Sequence, residues 1–359
     1  MPEIEAAQSG EIDRQGVACP TIAVCMPAYN AEHLLSRSLG AIGKSTRLPD
    51  EIIIFDDAST DRTAVVAVEL GARVIKGEAN AGPGAGRNLL ATETDADFLL
   101  FVDADVVIDP GAIERLEAVL VSRPDVAATF GAYNDRPHHS GAASMYANLR
   151  HHFIHRQNAG ECRTFWSGLG MIRRDVFCHF GGYDSHRFAG PSIEDVDLGA
   201  RMTAQGQKII LEPRAQGAHL KKWTLKGLWR SDIFDRALPW ARLIRADMMP
   251  VGQLNGGGME QLRALLAYGI LGAFALTLIS AVPFWSVGLV GAAYVLANAP
   301  FFMLLLDRSG IRRTLIGMFL HWVYHLYASA IIGSALIARL SSKIWQSIFS
   351  SKQKSRSSL

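Results

Sequence analysis

Three apolar runs in the first third of the chain, TIAVCMPAYN, EIIIFDDAST and DFLLFVDAD, each close on polar or acidic side chains, and helix-like segments separate them. Apolar strands alternating with amphipathic helices form a parallel sheet covered on both faces. An α/β domain is therefore predicted from about Thr21. In such sheets ligands bind beyond the carboxyl ends of the strands, where the strand order switches direction. Tyr29 and Asn30, Asp56 and Asp57, then Asp103 and Asp105 end the three runs, so all three sets fall on that edge. An ionised carboxylate is costly in dry surroundings unless something pairs with it. For Asp103 and Asp105, which follow FLLFV, the candidate partners are a metal ion, a buried cation or solvent at the strand end. Strand alternation turns these two carboxylates the same way, with the small Ala104 opposed.

Of the 359 residues 49% are hydrophobic, and the excess lies late in the chain. From Gly269 onward come GILGAFALTLISAVPFW, VGLVGAAYVLANAPFFMLLL and LIGMFLHWVYHLYASAIIGSALIA, each near the ~20 residues that a bilayer crossing requires. The polar, acidic MPEIEAAQSGEIDRQG has no apolar core, so neither a secretory signal nor an anchor is expected there. Cys19, Cys25, Cys162 and Cys178 show no CxxC spacing, which fits small packing residues in a reducing compartment rather than a zinc site or disulfides. From His219 to Arg245 seven Lys or Arg face two Asp and interleave with Trp223, Trp229 and Trp240. That pattern predicts an interfacial collar on anionic lipid.

The expected organisation is a disordered tail over 1–18, the α/β domain over 19–222, a basic amphipathic interfacial segment over 223–262, a membrane region of two to three hydrophobic helices over 263–340, and a basic, serine-rich tail over 341–359. With the α/β domain in the cytosol, three full crossings would put Lys343, Lys352, Lys354 and Arg356 outside, against the positive-inside bias. Two crossings plus a flat or re-entrant segment satisfy it. His138, His139, His151, His152 and His155 share no acid or cysteine at ligand spacing and are expected on a surface helix or loop. His321 and His325 fit a helix-packing or interfacial band better than a transport pathway.

Five stretches in order, VCMPAYN, EIIIFDDASTD, NAGPGAGRN, FVDADV and GGYDSHRFAGPSIEDVDLGARM, closely resemble the family 2 glycosyltransferases with the GT-A fold, over roughly Thr21 to Lys222. The resemblance implies a nucleotide-sugar-binding domain with a mostly parallel central sheet, followed here by transmembrane helices. It implies inverting transfer from a nucleotide-diphosphate sugar with Mg2+ or Mn2+ as cofactor. By position it also implies that Pro27, Tyr29, Asp57, Arg87 and Asp103 bind the nucleotide, Tyr29 packing on the base and Asp57 accepting from it. Asp105 corresponds to the metal-ligating second acid of the DxD motif, and His219 resembles a histidine that some relatives use near the metal or diphosphate. The pair Glu194 and Asp195 holds the catalytic acids, Asp195 standing where relatives place the general base. Trp166 and Gly168 resemble an acceptor-side loop, Trp166 serving as a sugar platform or as core packing.

Asp56 reads as a cap or turn acid, and Asp197 with Arg201 as an i, i+4 surface ion pair. GPGAG does not match the dinucleotide-binding fingerprint, so a dehydrogenase is set aside. The Gln-x-x-Arg-Trp signature of processive relatives is absent, DRALPWARL being the nearest sequence, so single sugar addition is expected. The partners expected are a nucleotide-diphosphate sugar, a lipid or lipid-linked acceptor and the cytoplasmic (inner) membrane, and no nucleic acid. Two alternatives stand beside this reading. One is transfer to a polyprenyl phosphate, which arrives largely ionised and needs no base; the other is a non-catalytic membrane scaffold or nucleotide-sugar sensor.

Overall fold

A computed structural model describes residues 19–246 and 257–356, with side chains through 342. The tail expected over 1–18, part of the interfacial segment, and the basic side chains of the serine-rich terminus lie outside the described residues.

Among the described residues nine strands form one mixed sheet. They are β1 (Ile22–Ala28), β2 (Glu51–Asp56), β3 (Arg73–Lys76), β4 (Phe98–Val102), β5 (Val106–Ile108), β6 (Val126–Tyr133), β7 (Gly160–Cys162), β8 (Leu169–Arg173) and β9 (Lys208–His219). The order is β3-β2-β1-β4-β8-β6-β9-β5, with β7 paired to β9. β3, β2, β1 and β4 run parallel, as the strand–helix alternation predicts. β8 then runs antiparallel between β4 and β6. The helices of this part are α1 (Glu32–Ile42), α2 (Thr63–Glu69), α3 (Pro83–Thr92), α4 (Ala112–Ser122), α5 (Ala142–Gln157), α6 (Arg174–His179) and α7 (Glu194–Ala204).

The period of two in the strands sorts their side chains into two cores. Val24, Met26, Leu100 and Val102 join Leu35, Leu39 and Leu116 on the face covered by α1 and α4. Ala23, Cys25, Leu99 and Phe101 join Leu90, Phe165 and Leu198 on the other. Both faces being covered, all five residues of FLLFV are buried. Cys25 and Cys162 are packing residues as expected, whereas Cys178 is exposed.

Three of the five upstream histidines are not on the surface. His152 and His155 are buried on α5, and His151 is half-buried beside them. Both buried rings turn to carbonyls of β6, and a register irregularity between Phe130 and Ala132 is of the kind that leaves the carbonyl of Gly131 without a ladder partner. His155 Nδ1 donates to Gly131 O at 3.0 Å and His152 Nδ1 to Tyr133 O at 2.7 Å. Burial lowers both rings, His155 to about 4, so they are neutral donors. The sequence pattern misplaces them because they satisfy strand backbone rather than solvent.

After β9 the chain forms α8 (Leu225–Arg230), a π-helical turn (Ser231–Ala237) and α9 (Leu238–Arg245). Trp223 is buried in a third core. It carries Lys221 Nζ 4.4 Å over its ring, so this tryptophan of the expected collar faces protein; Trp229 is exposed. Then follow α10 (Gly258–Leu278), α11 (Trp285–Ala297) and α12 (Ala299–Arg356), the last broken at Gly310, where φ is 73°. α10 and α12 are long and apolar enough to cross a membrane. The second apolar stretch is not one helix, because it divides at the buried Asn298 into α11 and the start of α12. At 13 residues α11 spans about 20 Å, short of the ~30 Å hydrocarbon core.

α5 packs its other face on these helices. Tyr146, Leu149 and Phe153 meet Phe301, Phe302, Leu305 and Leu320. Tyr146 Oη and Asn298 Oδ1 both hydrogen-bond His321, and Tyr294 Oη and Glu260 flank His325, which makes the two histidines the helix-packing band that their spacing predicts. Arg150 of α5 donates from Nη2 to both oxygens of Asp232 in the π-helical turn, at 2.7 and 2.8 Å, and Tyr327 Oη donates to the same carboxylate at 2.8 Å.

Candidate active site at the carboxyl edge of the sheet

β1 ends at Ala28, with Pro27 half-buried, and the next side chain, Tyr29, is 52% exposed above the edge. Beside it β2 ends on Asp56, whose Oδ1 accepts from Ser59 N at 3.1 Å, the turn role expected for it. Asp57 is buried, and its two oxygens accept from Ala81 N at 2.7 Å and Gly82 N at 2.9 Å. It thus clamps the glycine-rich turn before α3. Gly82 has φ 84°, and a Cβ there would lie 2.3 Å from Ala189 O, so only glycine lets this turn touch the loop before α7.

One turn into α3 the fully enclosed Arg87 holds two acids at once. Its Nη1 donates to Glu194 Oε1 at 3.2 Å and its Nη2 to Asp103 Oδ1 at 2.6 Å. Burial opposes the guanidinium charge, but Asp103, Tyr183 and Glu194 more than offset it and raise the group further.

Asp103 and Asp105 do not point the same way. The strand stops at Val102 and the two acids flank a turn, closed by Val106 N donating to Asp103 O at 2.9 Å, so strand alternation does not apply. Asp103 goes to Arg87, whereas Asp105 Oδ2 meets His219 Nε2 at 3.2 Å. Register explains this second contact: β5 pairs antiparallel with β9, Val106 facing His219, and Leu220 N donates to Asp105 O at 2.8 Å. Burial pushes Asp105 up, but the hydrogen bond and charge of His219 pull it below its ordinary value. His219 lies flat against Tyr133, centroids 4.4 Å and planes 9° apart.

Among the described residues no three His, Cys, Asp or Glu side chains form a complete metal cage. Asp105 and His219 could nonetheless hold a divalent ion, leaving its other positions open to oxygen ligands and water.

The two acids opening α7 are engaged differently. Glu194 is buried and engaged, Oε1 with Arg87 and Oε2 accepting from Ser192 N at 2.9 Å. Asp195 accepts from neutral donors among the described residues, Ser167 N at 3.1 Å, Ser167 Oγ at 3.3 Å and Val196 N at 2.8 Å. Burial first, then the Glu194 charge, lift it to about 7. Asp197 pairs with Arg201 at 2.9 Å at the expected i, i+4 spacing, but its carboxylate is buried rather than on the surface and also meets Arg187 at 3.2 Å.

Trp166 is packed edge-on against Tyr133 and His155, centroids 4.9 and 5.3 Å away. A Cβ on Gly168 would lie 2.4 Å from the Trp166 indole, so this glycine makes room for the chain's own ring. Sequence reading overlooked Tyr133, Ser167 and Asn148. Tyr133 is marked only by its place at the end of β6 and Ser167 by the WSGLG loop, and nothing in the sequence marks Asn148 within α5.

Residues 23–180 match the family model described as glycosyl transferase family 2. The chain carries a family 2 glycosyltransferase domain. Over 283 residues, 74% of this chain and 83% of the relative, the glycosyltransferase is 25% identical to O-antigen chain rhamnosyltransferase RfbN of Salmonella typhimurium. It is 27% identical over 115 residues, 31% of this chain and 45% of the relative, to UDP-Glc:alpha-D-GlcNAc-diphosphoundecaprenol beta-1,3-glucosyltransferase WfgD of Escherichia coli. Among solved structures it resembles mannosyltransferase PcManGT from Pyrobaculum calidifontis in complex with GDP-Man and Mn2+, with TM-score 0.54 and 17% identity, covering 91% of this chain and 88% of that one. This likeness shows the fold, the GT-A arrangement that the sequence motifs imply.

Proposed function

We propose that this glycosyltransferase transfers one sugar, with inversion, from a nucleotide-diphosphate sugar to a hydroxyl of a lipid or lipid-linked acceptor at the cytosolic face of the inner membrane. The observation that carries the reading is the split between Glu194 and Asp195. Glu194 is spent on Arg87, while Asp195 sits beside it with an affinity for protons near neutrality, where a general base works best.

In this reaction Asp195 takes the acceptor hydroxyl proton, and the freed oxygen pair forms the new bond to the anomeric carbon. The bond from that carbon to the donor phosphate oxygen breaks, its electron pair leaving on the nucleotide diphosphate. Attack opposite the leaving group inverts the centre. Mg2+ or Mn2+ held by Asp105 and His219 would supply the charge compensation that the departing diphosphate needs. Arg87 and Asp103 border the donor, Pro27, Tyr29 and Asp57 form the base end, and Trp166 with Gly168 supports the acceptor next to Ser167. A base tuned to neutrality favours a hydroxyl acceptor over a polyprenyl phosphate.

Two crossings, α10 and the part of α12 after Gly310, return the chain to the side on which it started, which agrees with its basic end being cytosolic. The names of RfbN and WfgD, which act in O-antigen assembly and on a diphosphoundecaprenol-linked sugar, support a lipid-linked acceptor. The test is a screen of nucleotide-diphosphate sugars against diphosphoundecaprenol-linked sugars with purified full chain and Mn2+. Transfer with the anomeric configuration inverted is expected; a retained configuration, or hydrolysis alone with every acceptor, overturns the proposal.

A further inference from the structure

The metal reading above leaves unexplained how the ring of His219 is presented. Its Nε2 faces Asp105, while its Nδ1 lies 3.0 Å from Asn148 Oδ1. Asn148 is a buried residue of α5, and its other amide atom is committed: Nδ2 donates to Ser144 O at 3.0 Å. A backbone carbonyl only accepts, so the amide has one orientation and Oδ1 must face the histidine. An amide oxygen also only accepts, so Nδ1 of His219 carries a proton whether the ring is neutral or charged. Nε2 is then the only nitrogen that can hold a metal. The Tyr133 stack fixes the plane of the ring, and Asn148 fixes which nitrogen points at Asp105.

We propose that Asn148 is a positioning residue that locks His219 in the Nδ1-protonated form, and so makes the site one nitrogen plus one carboxylate, which favours Mn2+ over Mg2+. Mg2+ is held through carboxylates, phosphates and water and gains little from a ring nitrogen. Mn2+ also favours oxygen and is the weakest binder of the first-row series, yet as a transition ion it gains more from an imidazole nitrogen than Mg2+ does. Partners that orient a ligating histidine are typically worth 10–100-fold in affinity. Without the Asn148 oxygen the neutral ring is free to keep its single proton on Nε2 and donate it to Asp105, which removes the nitrogen ligand without touching either ligand residue.

The inference rests on the metal reading of Asp105 and His219, and the experiment separates the two. Mn2+ alone is titrated into the detergent-purified full chain and followed by electron paramagnetic resonance, with Mg2+ as competitor, for the native chain, Asn148→Ala and Asn148→Asp. Native binding that Asp105→Ala removes establishes the site; if the native chain binds no Mn2+, the metal reading falls and the inference with it. Asn148→Ala should bind Mn2+ about 10- to 100-fold more weakly with much less change toward Mg2+. Asn148→Asp, which still accepts from Nδ1, should stay within a few-fold of native, although a purely structural role predicts harm from a buried extra charge. Native-like Mn2+ binding by Asn148→Ala, equal losses for both ions, or failure of Asn148→Asp to restore binding would overturn the proposal.

Discussion

Asp195→Asn should make the protein both inactive and more stable, and the gain in stability should depend on pH in a set direction. The folded carboxyl titrates near 7, against an ordinary value of 3.8. Between those values the folded state holds the proton more tightly than the unfolded chain. Stability from this group is therefore fully present below about pH 4 and lost as pH rises through about 7. Three units at about 1.4 kcal/mol each give ~4 kcal/mol as an upper figure. Asp195 keeps some contact with solvent, and screening reduces this to roughly 2 kcal/mol. Asparagine retains the amide oxygen for Ser167 N but never ionises. Its midpoint should match the native protein near pH 4 and exceed it above pH 7, by roughly 4–8 °C at 2–4 °C per kcal/mol for a domain of this size. Transfer should fall by ~10² to 10⁴, with nucleotide diphosphate binding unchanged. Thermal denaturation in detergent at pH 4.5, 6 and 8, with turnover on the same preparations, is the assay. A midpoint difference that does not vary with pH would remove the raised proton affinity and, with it, the case for Asp195 as base.

Other substitutions separate the remaining parts of the site. Asp105→Ala should abolish metal-dependent transfer with little loss of stability, and undiminished turnover at limiting Mn2+ would refute its ligand role. Arg87→Lys keeps the charge but not the fork that reaches Glu194 and Asp103 together; it should lower the thermal midpoint and weaken donor binding, and a variant equal to native in both would sink the bridging role. Arg150→Ala leaves buried Asp232 with Tyr327 and Arg236 alone, so a loss of ~3–5 kcal/mol is expected from denaturant titration. A chain ended at Gly257 bares the α5 face carrying Tyr146 and Leu149; gel filtration without detergent should show aggregation, and a stable monomer would contradict the packing of α5 on the membrane helices.

The domain was readable from sequence because its strands are covered on both sides and so must be apolar throughout, ending where solvent begins. The acids at those ends followed from the same rule. What the rule does not reach is direction. Asp103 and Asp105 separate because a turn, not a strand, carries them, and the turn is set by β9 pairing across it through His219. Glu194 and Asp195 are adjacent acids in sequence, and only the position of Arg87, 107 residues earlier, makes one an anchor and leaves the other to titrate.

α5 was the hardest element to read, and for a physical reason. AASMYANLRHHFIHRQ has no apolar stripe because neither of its faces meets water. One face gives His152 and His155 to β6 backbone and Asn148 to His219; the other gives Tyr146 to His321 and Arg150 to Asp232. Polar side chains at such positions are stable when partnered, and the partners of these come from the sheet, the interfacial segment and α12, whereas Nδ1 of His151 on the same helix has no hydrogen-bond partner among the described residues. A helix between two cores carries a mixed pattern that periodicity reads as solvated. That same placement lets one rigid element fix the ring beside Asp105 relative to helices fit to lie in lipid. On the function proposed above, positioning of a lipid-held acceptor against the sheet edge would depend on α5 and the Arg150–Asp232 pair as much as on the residues that meet substrate.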